Sequence, residues 1–218
     1  MKKFLLISVL TLLASLNAKA QIPVEVVFGD KQASFDLMFF KYLKDKNDEN
    51  TNLLFFNRNI ASFDYRMTDS TYLPSFAFTE AISYNDSKLK GFAPVLVTQF
   101  TNRGIYPKAG VQFAHVRERF TIFTWLVSET LENPEIDYYL LLRFTPKLTE
   151  KLNLYSQTES LNVFSTENGI GNRYYQRIRL GLDIHYWQFG FAANLTTITS
   201  ASNTQFSSNI GGFLRHEF

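Results

Sequence analysis

The 218-residue chain contains no cysteine, which excludes disulfide staples, thiolate nucleophiles and cysteine-based metal sites. It also lacks a run of about 20 apolar residues, the length a membrane-spanning helix needs; its sustained apolar stretch, Phe4–Leu16, is shorter than that. Histidine is scarce, limited to His115, His185 and His216. No Gly-x-Ser-x-Gly elbow accompanies these histidines, and His216-Glu217 lacks the second imidazole of a zinc helix. No carboxylate–histidine cluster has metal spacing, so neither a metal nor another cofactor is implied. Neither sign of charge dominates: 22 basic residues face 20 acidic ones, for a net charge of +2. Without Lys2, Lys3 and Lys19 the balance becomes 19 against 20, or −1, and bulk charge makes no case for nucleic-acid binding. Two loop-like segments also carry little chemistry. Asn168-Gly169-Ile170-Gly171 has no helix after it to cradle a phosphate, and Lys44–Asn50 lacks the glycine and terminal glutamate of a helix-loop-helix calcium site.

Aromatic residues, by contrast, are abundant. They make up 16% of the chain, with 22 Phe and 11 Tyr, and mean hydropathy is a near-neutral −0.11. Short apolar-aromatic runs alternate with turn clusters from Gln21 onward, with no linker and no repeat. The clearest run is Arg173–Tyr186. Arg177, Arg179, Gly181, Asp183 and His185 fall on one face, and Ile178, Leu180, Leu182, Ile184 and Tyr186 on the other. A chain with no spanning helix but many such strands crosses a bilayer only as a closed barrel, because lipid leaves no partner for an open sheet edge. The competing reading is a soluble all-β sandwich.

Counting back from Phe218 gives twelve strands, near 205–218, 188–198, 172–186, 150–163, 135–145, 120–129, 109–116, 91–101, 73–84, 53–66, 33–43 and 24–29. Val24–Gly29 is short for a span, and ten strands is the alternative. Pro94 and Pro74 fall inside or beside strands, where each should mark a bulge or a strand end. Turns are expected at Lys44–Thr51, Asn85–Lys90, Arg117–Arg119, Pro146–Thr149 and Trp187. Loops at the other end are expected at Met67–Tyr72, Asn102–Lys108, Thr130–Pro134, Ser165–Gly171 and Thr199–Thr204. All are short, which leaves no room for a constricting inner loop or a large displayed surface.

The two ends of the chain resemble those of bacterial outer-membrane β-barrel proteins. Met1-Lys2-Lys3, the apolar Phe4–Leu16 and Ala18-Lys19-Ala20 form a signal-peptide pattern over residues 1–20, leaving 21–218 as the barrel. The terminal Phe218, preceded at every second position by His216, Leu214, Gly212 and Ile210, is similar to the family's insertion strand. His216 departs from the aromatic usual there. Phe-rich strands with short loops look most like small barrels of the Bacteroidota type. The resemblance implies an antiparallel up-and-down transmembrane β-barrel exported to the outer membrane, in contact with lipid and with the barrel assembly machinery. It leaves the oligomeric state open.

Alternation places several charges inside such a barrel: Arg177, Arg179, Asp183 and His185; Asp64 and Arg66, opposite Ala61, Phe63 and Tyr65; Arg143, opposite Tyr138, Leu140, Leu142 and Phe144; and Arg215 with Glu217. On the lipid side an arginine at mid-membrane costs about 2–4 kcal/mol. Two readings stay open. Arg66, Arg143, Arg177 and Arg179, steadied by Asp64 and Asp183, line a passive porin-like passage for small polar or anionic solutes. Alternatively, arginines and carboxylates pair, fill the lumen and make a closed structural or accessory barrel of an envelope assembly. A lipid-modifying enzyme built on His115 or His185 is a third, weaker reading, requiring a serine within hydrogen-bond reach. The chain is therefore expected not to be an enzyme.

Overall fold

The computed structural model describes residues 22–66, 74–131, 135–166, 171–200 and 202–218. The signal-peptide segment at 1–20 lies outside them, as do Met67–Tyr72 and parts of the loops expected around 130–134, 165–171 and 199–204. Twelve strands follow one another: β1 (Pro23–Gly29), β2 (Gln32–Lys44), β3 (Asn50–Asp64), β4 (Ser75–Tyr84), β5 (Phe92–Thr101), β6 (Gly104–Arg117), β7 (Phe120–Glu129), β8 (Ile136–Phe144), β9 (Asn153–Phe164), β10 (Arg173–Ile184), β11 (Trp187–Thr199) and β12 (Thr204–Glu217). Each pairs antiparallel with its neighbours in sequence, and β1 pairs with β12 to close the barrel. The seam runs from Pro23 opposite Glu217 to Gly29 opposite Gly211. Beyond it, Ile22 and Phe218 exchange backbone hydrogen bonds of 3.2 Å. The short β1 is therefore a full member of the wall, and the count is twelve.

The strands form because apolar and polar residues alternate, but the polarity is reversed from that of a water-soluble sheet. In β10, Arg179 is 4% exposed whereas Leu180, its neighbour on the other face, is 52% exposed. Around the wall Phe28, Phe63, Leu96, Val111, Leu126, Phe191 and Leu214 face outward and are exposed, while Glu25, Asp36, Arg58, Lys108, Asp137, Glu159 and Arg215 are buried inside.

Four of the described connections are two residues long, two at each end: Asp30-Lys31, Asn102-Arg103, Glu118-Arg119 and His185-Tyr186. β10 and β11 are joined through His185-Tyr186 alone, with His185 in the left-handed region at φ 58°. His185 is thus a turn residue and not an inward strand position: Ile184 already pairs with Trp187, so the chain reverses there. The loop expected at Asn102–Lys108 shrinks to Asn102-Arg103, because β6 starts at Gly104, opposite Thr101. Pro107 joins β6 through its carbonyl, which accepts from the Thr130 amide at 3.0 Å; the donor it lacks is not needed on that side. Pro94 stands one residue beyond the end of the β4–β5 ladder at Val95, and Pro74 just precedes β4. Pro74 marks a strand end, whereas Pro94 lies inside β5, opposite Val111 of β6, and marks only the end of the ladder with β4.

Candidate functional site

The interior of the barrel gathers its chemistry. A barrel of about eight strands is just wide enough for side chains to fill, so twelve strands in a round section would enclose open space. Here the walls meet instead. Phe40 of β2 lies 5.1 Å, centroid to centroid, from Phe123 of β7, and Phe56 of β3 lies 5.4 Å from Trp125 of β7. β7 stands five places round the twelve-strand circuit from β2 and four from β3, so side chains from separate parts of the wall meet across the lumen. Met38, Phe56, Val95, Val97, Phe123, Trp125, Tyr139 and Leu141 pack into a continuous apolar filling on that side.

The remaining interior is charged and paired. Arg58 of β3 donates from Nε to Asp36 Oδ1 at 3.1 Å and from Nη2 to Asp36 Oδ2, a two-point grip on the neighbouring strand. Its third donor, Nη1, reaches Glu159 of β9, halfway round the circuit, and the Tyr139 hydroxyl at 3.0 Å. Tyr139 in turn donates to Glu159 at 3.1 Å. One guanidinium thus ties opposite walls together. Arg177 adds a second cation to Asp36 at 2.9 Å, and Gln157 donates to Glu159 at 2.6 Å.

Toward the end holding the chain termini, Arg179 donates to Glu25 Oε1 at 2.9 Å and to Asn194 Oδ1 at 2.9 Å. Arg215 donates to the Tyr155 hydroxyl at 3.1 Å and to Glu217 at 3.5 Å. The guanidinium carbons of Arg143 and Arg215 stand 5.8 and 5.7 Å from the Tyr155 ring centroid, within cation–π range. Arg143 also donates to Gln157 at 2.7 Å. Toward the other end Lys108 pairs with Asp137, the two side chains being 3% and 1% exposed. Arg173 pairs with Glu135.

Of the residues expected to line a lumen, Arg143, Arg177 and Arg179 point inward with the partners just named. Asp183 also points inward, accepting from Asn153 at 3.0 Å and Gln188 at 3.1 Å. Asp64 and Arg66 are not drawn into this network. Asp64 ends β3 at the barrel mouth, and its carboxylate accepts from the Arg66 amide at 2.8 Å, a turn that stops the strand; the Arg66 side chain beyond it is 78% exposed. Arg66 is therefore a rim residue, not a lumen residue. Sequence reasoning missed Glu25, Asp36, Arg58, Lys108, Asp137 and Glu159. Asp36 and Asp137 each alternate with apolar residues and could have been found that way. Arg58 stands between Asn57 and Asn59, so both faces of β3 read as polar, and Glu159 has the same problem among Gln157, Thr158 and Ser160. Without these carboxylates the interior looked basic. With them the fully buried charges balance, Arg58, Lys108, Arg179 and Arg215 against Glu25, Asp36, Asp137 and Glu159.

A void of about one water's size is lined by Pro23, Glu25, Asp36, Met38, Arg58, Gln157, Glu159 and Arg215. Each histidine has a local partner or role. His115 accepts from Arg117 Nε at 3.3 Å, His185 makes the β10–β11 turn, and His216 packs against Trp187 and Phe218 with ring centroids 4.3 and 4.4 Å away. Among the described residues no group of three His, Cys, Asp or Glu side chains is placed to hold a metal ion.

No family model matches the chain, and no curated protein sequence matches it. Among solved structures, a triple mutant of the porin of Rhodopseudomonas blastica aligns over 91% of this chain and 98% of its own, at 8% identity and a TM-score of 0.24. A second mutant of the same porin aligns over the same shares at 7% identity and a TM-score of 0.23. By its own strand pairing the chain is a closed, twelve-stranded antiparallel β-barrel, and what it does has to follow from its own residues.

Proposed function

We propose that the chain is an integral outer-membrane β-barrel whose interior is sealed by its own paired charges, serving as a structural or accessory barrel of the envelope and not as an enzyme. The observation that carries this reading is the reversal of polarity: charged side chains are buried and paired inside while large apolar side chains cover the outside. Water does not sustain such a surface, and a bilayer does. The signal-peptide pattern at residues 1–20 and the alternation ending at Phe218, with Ile210, Leu214 and His216, fit export and insertion by the barrel assembly machinery. Closure rests on Arg58, which bonds Asp36 and Glu159 from opposite walls, and on the aromatic filling beside it.

A passive porin-like passage for small polar or anionic solutes is the second reading. One observation favours it: the small void lies among charged residues, against Arg58, Arg215, Asp36 and Glu159, and not in the apolar half. Planar-bilayer recording across a salt gradient separates the two. The sealed barrel gives no unitary steps from folded, inserted protein. Discrete anion-selective steps would replace it with the porin reading, and solute identity would be the next question.

A further inference from the structure

We propose that the rim formed by the β4–β5 and β6–β7 turns binds the phosphate of an anionic phospholipid, held by Lys90, His115 and Arg117. The proposal rests on the membrane reading above. His115 and Arg117 are the last outward residues of β6: their ladder partners are Ile122 and Phe120, whereas Ala114, opposite Phe123, packs into the interior. The Ala114 amide donates to the Gly91 carbonyl at 3.0 Å. That bond carries the β5–β6 ladder one residue past Phe92 and Phe113 and brings Lys90 to the level of His115. Lys88 stands in the same turn as Lys90, and Arg119 follows Arg117 in the next. Lys88, Lys90, His115, Arg117 and Arg119 are all exposed.

These cations are short of partners. Arg117 donates from Nε to His115 Nε2 at 3.3 Å, which sets the two side chains next to each other and leaves both terminal guanidinium nitrogens open. Among the described residues none of Lys88, Lys90, Arg117 and Arg119 forms an ion pair. The carboxylates of the same two turns do not neutralise them. Asp86 accepts from the Lys88 amide at 2.8 Å as the cap of a short helical turn, and with Glu118 it makes two carboxylates against four cations. A guanidinium with free N–H groups beside an ammonium is a phosphate-binding pair.

Depth identifies the anion. Around the patch the outer face carries four phenylalanines in two ring contacts, Phe92 with Phe113 at 5.0 Å and Phe120 with Phe144 at 6.4 Å. Aromatic rings collect where hydrocarbon gives way to headgroups. Arg117 is the ladder partner of Phe120, and His115 lies one outward step, about 7 Å of strand, beyond Phe113. The lipid that covers these rings therefore presents its phosphate to His115 and Arg117, and no preformed cavity is needed to hold it. Charge then selects the headgroup. A zwitterionic one brings its own ammonium to a patch that already holds four cations, whereas phosphatidylglycerol brings none.

Electron paramagnetic resonance of spin-labelled lipid measures how much lipid the barrel wall holds. In phosphatidylcholine vesicles, labelled phosphatidylglycerol is expected to be held about fivefold more strongly than labelled phosphatidylcholine at low salt, and the preference should shrink in about 0.5 M sodium chloride. Lys90→Gln with Arg117→Gln should bring the ratio close to one. Arg66→Gln with Arg103→Gln removes the same charge from the opposite mouth and should leave the ratio unchanged; an equal fall there would mean attraction by bulk charge and overturn the site. Sodium phosphate should displace the lipid no better than sodium chloride of equal ionic strength. Stronger displacement would assign the patch to free phosphate and overturn the lipid assignment. Inserted protein, identified by heat-shifted electrophoretic mobility, that shows no preference overturns the patch alone. Protein that does not insert and holds neither labelled lipid overturns the membrane reading and the patch with it.

Discussion

Arg58 carries more of the interior than any other side chain, since its guanidinium contacts Asp36, Tyr139 and Glu159 together. Removing it leaves buried Glu159 with only the neutral donors Tyr139 and Gln157, and Asp36 with Arg177 alone. Arg58→Ala is therefore expected to cost about 3–5 kcal/mol, read as a lowered urea midpoint for the barrel in lipid vesicles. Removing the carboxylates as well, in Asp36→Asn with Glu159→Gln, should recover most of that loss. A triple variant as weak as the single one would show that Arg58 acts through packing alone. Lys108 and Asp137 offer an independent check, because they share no partner with Arg58. Lys108→Met alone leaves Asp137 buried and unpaired, whereas Lys108→Met with Asp137→Leu is expected to be near neutral, within about 1 kcal/mol on the same titration. Single residues were also the hardest scale to read from sequence. Arg177, Arg179 and Asp183 were legible because β10 alternates cleanly. Arg58 and Glu159 were not, because β3 and β9 carry polar residues on both faces. His216 looked like a departure from an aromatic terminal strand, yet it sits between Trp187 and Phe218 as a third ring.

Strands were far more legible than their individual residues. Period-two alternation is a property of many positions at once and survives an isolated exception. The strand that differed most was β6, whose first residues, Gly104 to Lys108, were expected in a loop; Pro107 is accommodated because its carbonyl is used. The other element-scale device was invisible in sequence. Gly181 of β10 pairs with Gly190 of β11, and this pair is flanked in the same row by Tyr155 of β9 and Phe213 of β12. The two rings meet 5.6 Å apart. A Cβ at Gly181 would lie 2.1 Å from the Phe189 carbonyl oxygen, so the wall there has no room for a side chain. Gly181→Val is expected to cost about 1–3 kcal/mol and to quench the near-ultraviolet signal of the packed aromatics, whereas Gly212→Ala, where the nearest atom is 3.4 Å away, should leave both unchanged. Equal losses at the two sites would remove the argument for a packed row.

At the scale of the whole molecule, the sealed reading rests on side chains that meet across the lumen. If the sealed state is held by the Arg58 bridge and the Phe56–Phe123–Trp125 filling together, removing either alone leaves the other in place. Phe56→Ala combined with Arg58→Ala is expected to turn a silent barrel into a leaky one, measured as ion flux from loaded vesicles, while each single variant stays tight. Flux from the unaltered protein equal to that of the double variant would contradict the sealed reading. The barrel itself was legible at this scale, because the absence of a spanning helix and the abundance of aromatic strands leave few architectures in lipid. Whether the barrel is open was not legible. Openness depends on which side chains meet across the lumen, and contacts such as Arg58 to Glu159 join positions that no local pattern links.

The seam between β1 and β12 carries a consequence in time. The seven residues Pro23–Gly29 have β2 on one side, but on the other they wait for Gly211–Glu217, the far end of the sequence. No order of hairpin formation satisfies that edge early, so eleven ladders can be complete while the sheet still has two open edges. Closing is therefore one late, long-range event, and the side chains that reach across the same gap, Arg179 to Glu25 foremost, are made in that moment and not before. A barrel built this way passes through an open sheet whose two unpaired edges persist until that single closing step.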